Sequence, residues 1–491
     1  MATVSRRRFI QGSAAVGGLA AMGPLGALSA RAQVSQTAGY GPLVSKGELF
    51  LPAEFNYQRI SQQGTLMSDG RPTPGIFDGM AAYPGPAGRD ILIRNHENRE
   101  RAGEIKVITG PALEYDTTAF GGNTKLEVER RRVGKDPATG QPIYEYEVVR
   151  DFAILGGTST NCAGGIRTPH IWITCEEVVK RTAGKKHGYI FEIDARSDGP
   201  VPAVPVPQFG RRVHEAAVER AGIIYGTEDR RIGPDLLTDK RLLGSCLYRY
   251  IPSPRGGGVP LAETTGPLQA LKLKNEFHAN MDAGRVPGVP YPVEWVDVDE
   301  PDHEDDSDNR RDRVPGFTPN RVAAQDKGAA FFDRQEGMWT GPGRAKIYFD
   351  CTEGGAQNLG QIWEYDPGRE TLTLMYESTD SARLENPDNV VIVPQTQDIW
   401  LQEDSPGEQY VRGITQEGEI YDFAKTAAND SEFCGGCFSP DHQTFYLNQQ
   451  GSRGSLPEGP ADGRAVTYAI YGPFEKRAGS NSKSFGNGST A

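Results

Sequence analysis

Asn161-Cys162-Ala163-Gly164, followed by Ile171-Trp172-Ile173-Thr174-Cys175-Glu176-Glu177, is the stretch that decides the fold. Its small residues let backbones pack closely, and its apolar strand ends on two adjacent carboxylates. The same pattern of a short inner strand and a second strand ending in a carboxylate recurs along the chain. It is found at Phe77-Asp78-Gly79-Met80 with Ile91 to Glu97, and at His214-Glu215-Ala216-Ala217 with Ile223 to Asp229. It returns at Gln335-Glu336-Gly337-Met338 with Ile347 to Glu353, and at Pro387-Asp388-Asn389-Val390 with Ile399 to Asp404. Gly436-Cys437-Phe438-Ser439 with Phe445 to Asn448 completes the set. Units of three or four strands, spaced by roughly 50 residues, match the blades of a β-propeller. The expected fold is all-β, a six-bladed β-propeller with loop insertions, over residues 33–491. The Pro/Gly/Asp-rich stretch of about 252–320, with its acidic run Asp297 to Asp308, lacks strand periodicity and reads as an inserted loop or lid.

Composition agrees. The 491 residues include 60 glycines and 35 prolines, so turns are frequent and long helical repeats few. A net charge of −12 argues against a nucleic-acid partner, because binding phosphate backbones needs a cationic surface. An acidic protein that handles a phosphate must reverse the local sign with bound cations. Residues 1–32 read as an export leader. Ser5-Arg6-Arg7-Arg8-Phe9-Ile10 carries a twin arginine, Ala14 to Leu28 is weakly apolar, and Ala30-Arg31-Ala32 fits a cleavage site. The apolar stretch is too short and glycine-rich for a stable membrane span. The expectation is a monomer exported folded by the twin-arginine machinery to the periplasm or the medium.

In a propeller the first strand of each blade lines a central channel, so equivalent positions form a ring. Here the ring would be Asp78, Cys162, Glu215, Glu336, Asp388 and Cys437. The ends of the second strands would add Glu97, Glu176, Glu228, Glu353, Glu403 and Asn448, with Glu177 beside Glu176. Converging anions persist together when cations neutralise them. Hard carboxylates select Ca²⁺, Mg²⁺ or iron, and a thiolate favours iron or zinc, so one thiolate among many carboxylates points to iron with calcium. Cys434-Gly-Gly-Cys437 reads as a coincidental pair. His96 and His214 each precede a candidate ligand and should face away from it, as packing or supporting residues. Arg334 stands two residues before Glu336, so an extended strand would put both on one face. A guanidinium there suits a bidentate grip on phosphate oxygens. Asn95 stands two before Glu97 and could bond an anionic substrate.

At this point the motifs resemble a known family, the PhoX-type alkaline phosphatases. The resemblance rests on Asn95-His96-Glu97, Thr160 to Gly165 with Thr174 to Glu177, Gly210 to Ala216 and Thr227-Glu228-Asp229. It continues in Arg334 to Met338, Pro387-Asp388-Asn389 and Cys437 to Asp441, in one order over most of the chain. It implies an exported phosphomonoesterase acting on small phosphate esters, with a two-iron (Fe³⁺) centre bridged partly by a cysteine thiolate, and Ca²⁺ ions. By position Cys162 matches the iron-bridging cysteine, Glu215 and Glu336 look like iron-side carboxylates, and Arg334 matches the phosphate-binding arginine. Glu97, Glu176, Glu177 and Asp388 are the further expected metal ligands, and Asn95 and Asn161 the expected polar contacts to substrate. A calcium-dependent, lactonase-like propeller hydrolase and a non-catalytic binding propeller are the alternatives.

Overall fold

One pairing register repeats through the computed structural model, which describes residues 38–477 apart from 168–169, 183, 239, 257, 309–311, 427–430 and 452–462. The twin-arginine leader lies outside the described residues. Phe77 pairs with His96, His214 with Glu228, Gln335 with Cys351, Pro387 with Glu403, and Cys434 with Asn448. In the second unit Asn161 bridges Glu176. In the five complete inner strands the register then slips, so a bulge falls at Asp78, Glu215, Glu336, Asp388 and Gly435. A bulge leaves a residue unpaired and re-aims its side chain. In four of the five the re-aimed residue is an expected ring position; in the last the bulge falls at Gly435, ahead of the expected Cys437.

The first unit is a four-stranded sheet of Phe77–Pro84, Asp90–His96, Gly121–Lys135 and Pro142–Thr158. The second has three strands, Gly165–Arg167, Ile171–Cys175 and Ile190–Asp194. The third and fourth units merge into one nine-stranded sheet. The sixth, Phe433–Phe438, Thr444–Gln449 and Val466–Tyr471, takes its outer strand, Asn56–Gln62, from near the other end of the chain. Inner segments pack in a cycle, each against the next and the last against the first. The apolar cores lie between neighbouring sheets: Ala81, Ile93 and Ile154 of the first pack on Trp172, Phe191 and Ile193 of the second. Among the described residues no helix is long and apolar enough to cross a membrane.

The stretch 252–320 departs from the expected loop. Leu268–Leu273 pairs with Tyr248–Tyr250 as a strand of the third sheet, and Pro290–Val298 bridges to the fourth. Dense proline and glycine around these strands hide them from a periodicity reading. The acidic run is tied to the body by ion pairs: Lys186 to Asp302 at 2.7 Å, Arg181 to Glu304 at 2.9 Å, Arg211 to Asp306 at 2.7 Å and Arg230 to Asp308 at 2.8 Å.

Glycines after the ring residues allow the inner strands to meet. A Cβ on Gly79 would lie 1.5 Å from the Ala163 carbonyl oxygen of the next unit, and one on Gly337 only 2.7 Å from Asn389 Cα. Both obstacles are backbone and cannot rotate away. Gly79→Ala should therefore destabilise the protein by about 3 kcal/mol, the cost of overpacking a rigid contact. Gly199→Ala, at a position with nothing within 4 Å of the new methyl, should be near neutral. Thermal denaturation of the two variants makes the comparison; equal melting would refute the tight inter-unit contact.

Candidate metal centre

Among the described residues, three triads of ligand-type side chains line the channel, and within each the ligand atoms lie within 4.8 Å of one another. They are Glu215, Glu336 and Asp388; Glu97, Cys162 and Glu177; and Asp78, Glu432 and Cys434. The triads adjoin. Cys162 Sγ is 3.6 Å from Asp78 Oδ2, and Ala163 N donates to Glu215 Oε1 at 3.3 Å. Gln450 Nε2 donates at 3.0 Å to both Asp78 Oδ2 and Glu97 Oε2.

Burial pushes the carboxyls of Glu215, Glu336, Asp388 and Glu432 well above their ordinary values, and neighbouring acids push them further. The Cys162 and Cys434 thiols are raised by burial and then by Asp78. Glu215 Oε2 is buried with no hydrogen-bond partner. Hard oxygens, thiols and an orphaned buried carboxylate oxygen make a donor set that suits cations, which would displace the protons these groups otherwise retain.

Arg99 and Arg334 reach the acids. Arg99 Nη2 contacts Glu97 and lies 2.6 Å from Glu177 Oε2. Arg334 Nε donates to Asp229 Oδ1 at 2.9 Å and Nη2 to Asp229 Oδ2 at 3.2 Å, while Nη2 lies 2.6 Å from Glu336 Oε1. Burial works against the Arg334 charge, but Glu336 and Asp229 outweigh it, so the guanidinium stays protonated. Arg334 reaches Glu336 by a route other than an extended strand. It precedes the strand Gln335–Thr340 and has φ of +49°, in the left-handed region. Ile76, Thr160 and Asn386, each two residues before a ring position, share this conformation with φ of 49°, 54° and 49°. Such non-glycine residues are costly and cluster where a structure needs them.

Several expected site residues take other roles. Glu176 does not join a triad: its oxygens accept from Ser159 N at 3.0 Å and Gly188 N at 2.8 Å, with His187 Nδ1 at 2.6 Å. Asn95 Nδ2 donates to the Cys162 carbonyl, and its Oδ1 accepts from Trp172 Nε1 at 2.8 Å. Asn161 bonds Thr174 at 2.8 Å and Thr158 at 2.6 Å. Both amides brace the cysteine segment. Glu228 and Glu403 likewise point into their sheets, where burial raises each carboxyl to about 7. Cys437 lies in an apolar cluster with Met80, Leu92 and Tyr446, and the thiol facing the channel is Cys434. All six cysteines are free. His96 bonds the Gly75 carbonyl and Thr124, and His214 bonds the Gly210 carbonyl and stacks on Phe209. Asp229, Arg99, Glu432 and Gln450 are site residues that the repeat did not single out. Asp229 had a signal, since it follows Glu228 as Glu177 follows Glu176.

An all-β ring whose buried channel gathers carboxylates, thiols and a charged arginine is the framework of a metal-dependent phosphatase. The chain belongs to the family "Alkaline phosphatase PhoX", whose sequence profile matches residues 38–452. Among solved structures, Pseudomonas fluorescens PhoX in complex with vanadate, a transition state analogue, is similar with 16% identity and a TM-score of 0.60, over 89% of this chain and 98% of that one. The WD40 repeats of RRP9 (6% identity, TM-score 0.36, covering 86% of this chain and 98% of that one) are more distant. So is a putative 6-phosphogluconolactonase from Bacteroides uniformis (12%, TM-score 0.31, 70% and 83%). No protein of curated function matches the sequence.

The raised carboxyls give the metal-free protein a defined pH dependence. Their folded-state values exceed the ordinary 4.5 of glutamate and 3.8 of aspartate, so the folded state holds more protons than the unfolded one. That contribution to stability is complete below about pH 4 and is lost as pH rises through the raised folded values. Chelator-stripped protein should therefore melt at progressively lower temperature as pH climbs from 5 toward 9, and added cations should flatten the trend. A stripped protein whose melting temperature rises over that range would contradict the buried, cation-free acid cluster.

Proposed function

We propose that this chain hydrolyses phosphate monoesters in a six-bladed propeller channel, with iron held on the Cys162, Glu215, Glu336 and Asp388 side and Glu97 and Glu177 as ligands to calcium or to a mixed-metal site with Cys162. The observation that carries the reading is the meeting of Arg334 with the buried Glu215, Glu336 and Asp388. When bound, the cations supply charge neutralisation for the phosphoryl oxygens and Lewis acidity toward water. The chain's own residues do the orienting. Asp229 holds the Nε and Nη2 edge of Arg334, which leaves the Nη1 side, with Glu353 3.9 Å away, to face an anion at the mouth. A guanidinium so fixed offers Nη1 to one phosphate oxygen, and Nη2 to a second once a cation takes Glu336 from it, and stabilises charge as the ester bond breaks. Glu176, Asn95 and Asn161 keep the Cys162 segment in place. Export by the twin-arginine route as a folded monomer to the periplasm accords with the leader and with metal loading before export.

Arg334→Ala should lower turnover of p-nitrophenyl phosphate by about a hundredfold to a thousandfold, the typical cost of one charge-stabilising donor. Arg334→Lys should cost nearly as much, because an ammonium lacks the planar fork. Metal content should be unchanged in both, whereas Glu336→Gln should lose metal. Near-normal turnover in Arg334→Ala would remove the arginine from the reaction. Elemental analysis of protein purified without chelators should find iron and calcium together, and Cys162→Ser should lose iron and activity in step. Calcium without iron in an active preparation would reject the mixed cluster.

A further inference from the structure

The cysteines divide into two populations. Cys175 and Cys246 lie in one apolar cluster, Cys351 in another and Cys437 in a third. There a thiol packs as a small hydrophobe. Cys162 and Cys434 lie instead among carboxylates, and Cys434 Sγ donates to the Phe77 carbonyl at 3.0 Å. They also flank one residue: Cys162 Sγ is 3.6 Å from Asp78 Oδ2, and Cys434 Sγ shares the triad of Asp78 and Glu432. The triad of Glu97, Cys162 and Glu177 and that of Asp78, Glu432 and Cys434 thus have the same composition, two carboxylates and one thiol.

The pairing register explains how Cys434 gets there. In the other units the ring residue follows the paired one, as Asp78 follows Phe77. In the sixth unit that position is Gly435, where a Cβ would lie 2.3 Å from the Asp78 carbonyl oxygen. The sixth unit supplies the preceding residue instead. At that point the other units carry Phe77, Asn161, His214, Gln335 and Pro387, and this one carries a cysteine.

We propose that Cys434 is a second thiolate ligand, and that the pocket it forms with Asp78 and Glu432 takes a transition-metal ion of its own. Calcium prefers six to eight hard oxygens, whereas a thiolate selects iron, zinc or a similar ion. On binding, the Cys434 proton would leave its bond to the Phe77 carbonyl for solvent, and Sγ would donate a lone pair to the metal. Asp78, between the two thiols, would be shared by the two pockets. The inference rests on the metal-dependent reading of the channel and not on hydrolysis.

The test uses the full chain purified as holoprotein, stripped with a chelator and reloaded with cobalt, whose thiolate charge-transfer absorption reports sulfur ligands. Wild type should show a band that falls by about half in Cys434→Ser and by about half in Cys162→Ser. It should vanish in the double variant and be unchanged in Cys437→Ser. Cys434→Ser should also lose one bound metal per chain. A band and metal count equal to wild type in Cys434→Ser would overturn the proposal. Should that variant not fold, anomalous diffraction from wild-type crystals decides: a transition-metal peak at about 2.3 Å from Cys434 Sγ supports the site, and calcium or no peak there overturns it. Two thiolate bands in a protein that hydrolyses no phosphate ester would sink the phosphatase reading and leave this one standing.

Discussion

Repulsion between buried like charges governs this molecule. Three triads of acids and thiols converge in the channel, and Glu215, Glu336 and Asp78 are almost wholly buried. At about 4 Å and an effective dielectric near 20, one ionised pair repels by about 4 kcal/mol. The three pairs of a single ionised triad together reach the order of 12 kcal/mol, comparable with the whole stability of a domain. Arg99 and Arg334 alone cannot offset three triads. The groups must stay protonated or receive cations, and a donor set of carboxylates and thiols favours cations at neutral pH.

Such a cluster needs ligands held against their own repulsion, and the ring supplies this through hydrogen bonds from each unit to its neighbour. Asn95 of the first unit holds the Cys162 carbonyl of the second. Gly164 N of the second bonds the Glu215 carbonyl of the third at 3.0 Å. Thr227 of the third bonds the Glu336 carbonyl at 2.6 Å, and Thr352 of the fourth bonds Pro387 O at 2.7 Å. Gln402 of the fifth accepts from Gly436 N at 2.6 Å, and Asn448 of the sixth closes the circle on the Asp78 carbonyl at 2.7 Å. Each ring segment is therefore held by the unit beside it as well as by its own sheet. Residues that support ligands in this way orient a metal site nearly as much as the ligands do.

The acidic run of the insertion joins the same system from outside. Asp308, fully buried, pairs with Arg230, and the Arg230 carbonyl accepts from Arg334 N at 3.1 Å. A segment that reads as an inserted loop or lid thus contributes a carboxylate two steps from the arginine proposed to face phosphate.

The amino-acid sequence by itself determined the repeat, the all-β class and the ring residues Asp78, Cys162, Glu215, Glu336 and Asp388, because strand periodicity and small residues after each ligand are local signals. Its ring of second-strand ends put Glu176, Glu228 and Glu403 in the channel, and the structure turns them to other partners. Cys175-Glu176-Glu177, Thr227-Glu228-Asp229 and Glu403-Asp404 each set acids side by side, and alternation sends one inward and one to the channel. Which one depends on the pairing partner, a non-local fact, and so Glu176 became a brace and Glu177 a channel residue. In the sixth unit Gly435-Gly436 offers no side chains to set the period, and the bulge placed Cys434 rather than Cys437 in the channel. Arg99, Glu432 and Gln450 lie beyond their strands, where no period applies. Tertiary structure alone decided them, because only ring closure brings the end of the sixth unit against Asp78 and Glu97 of the first.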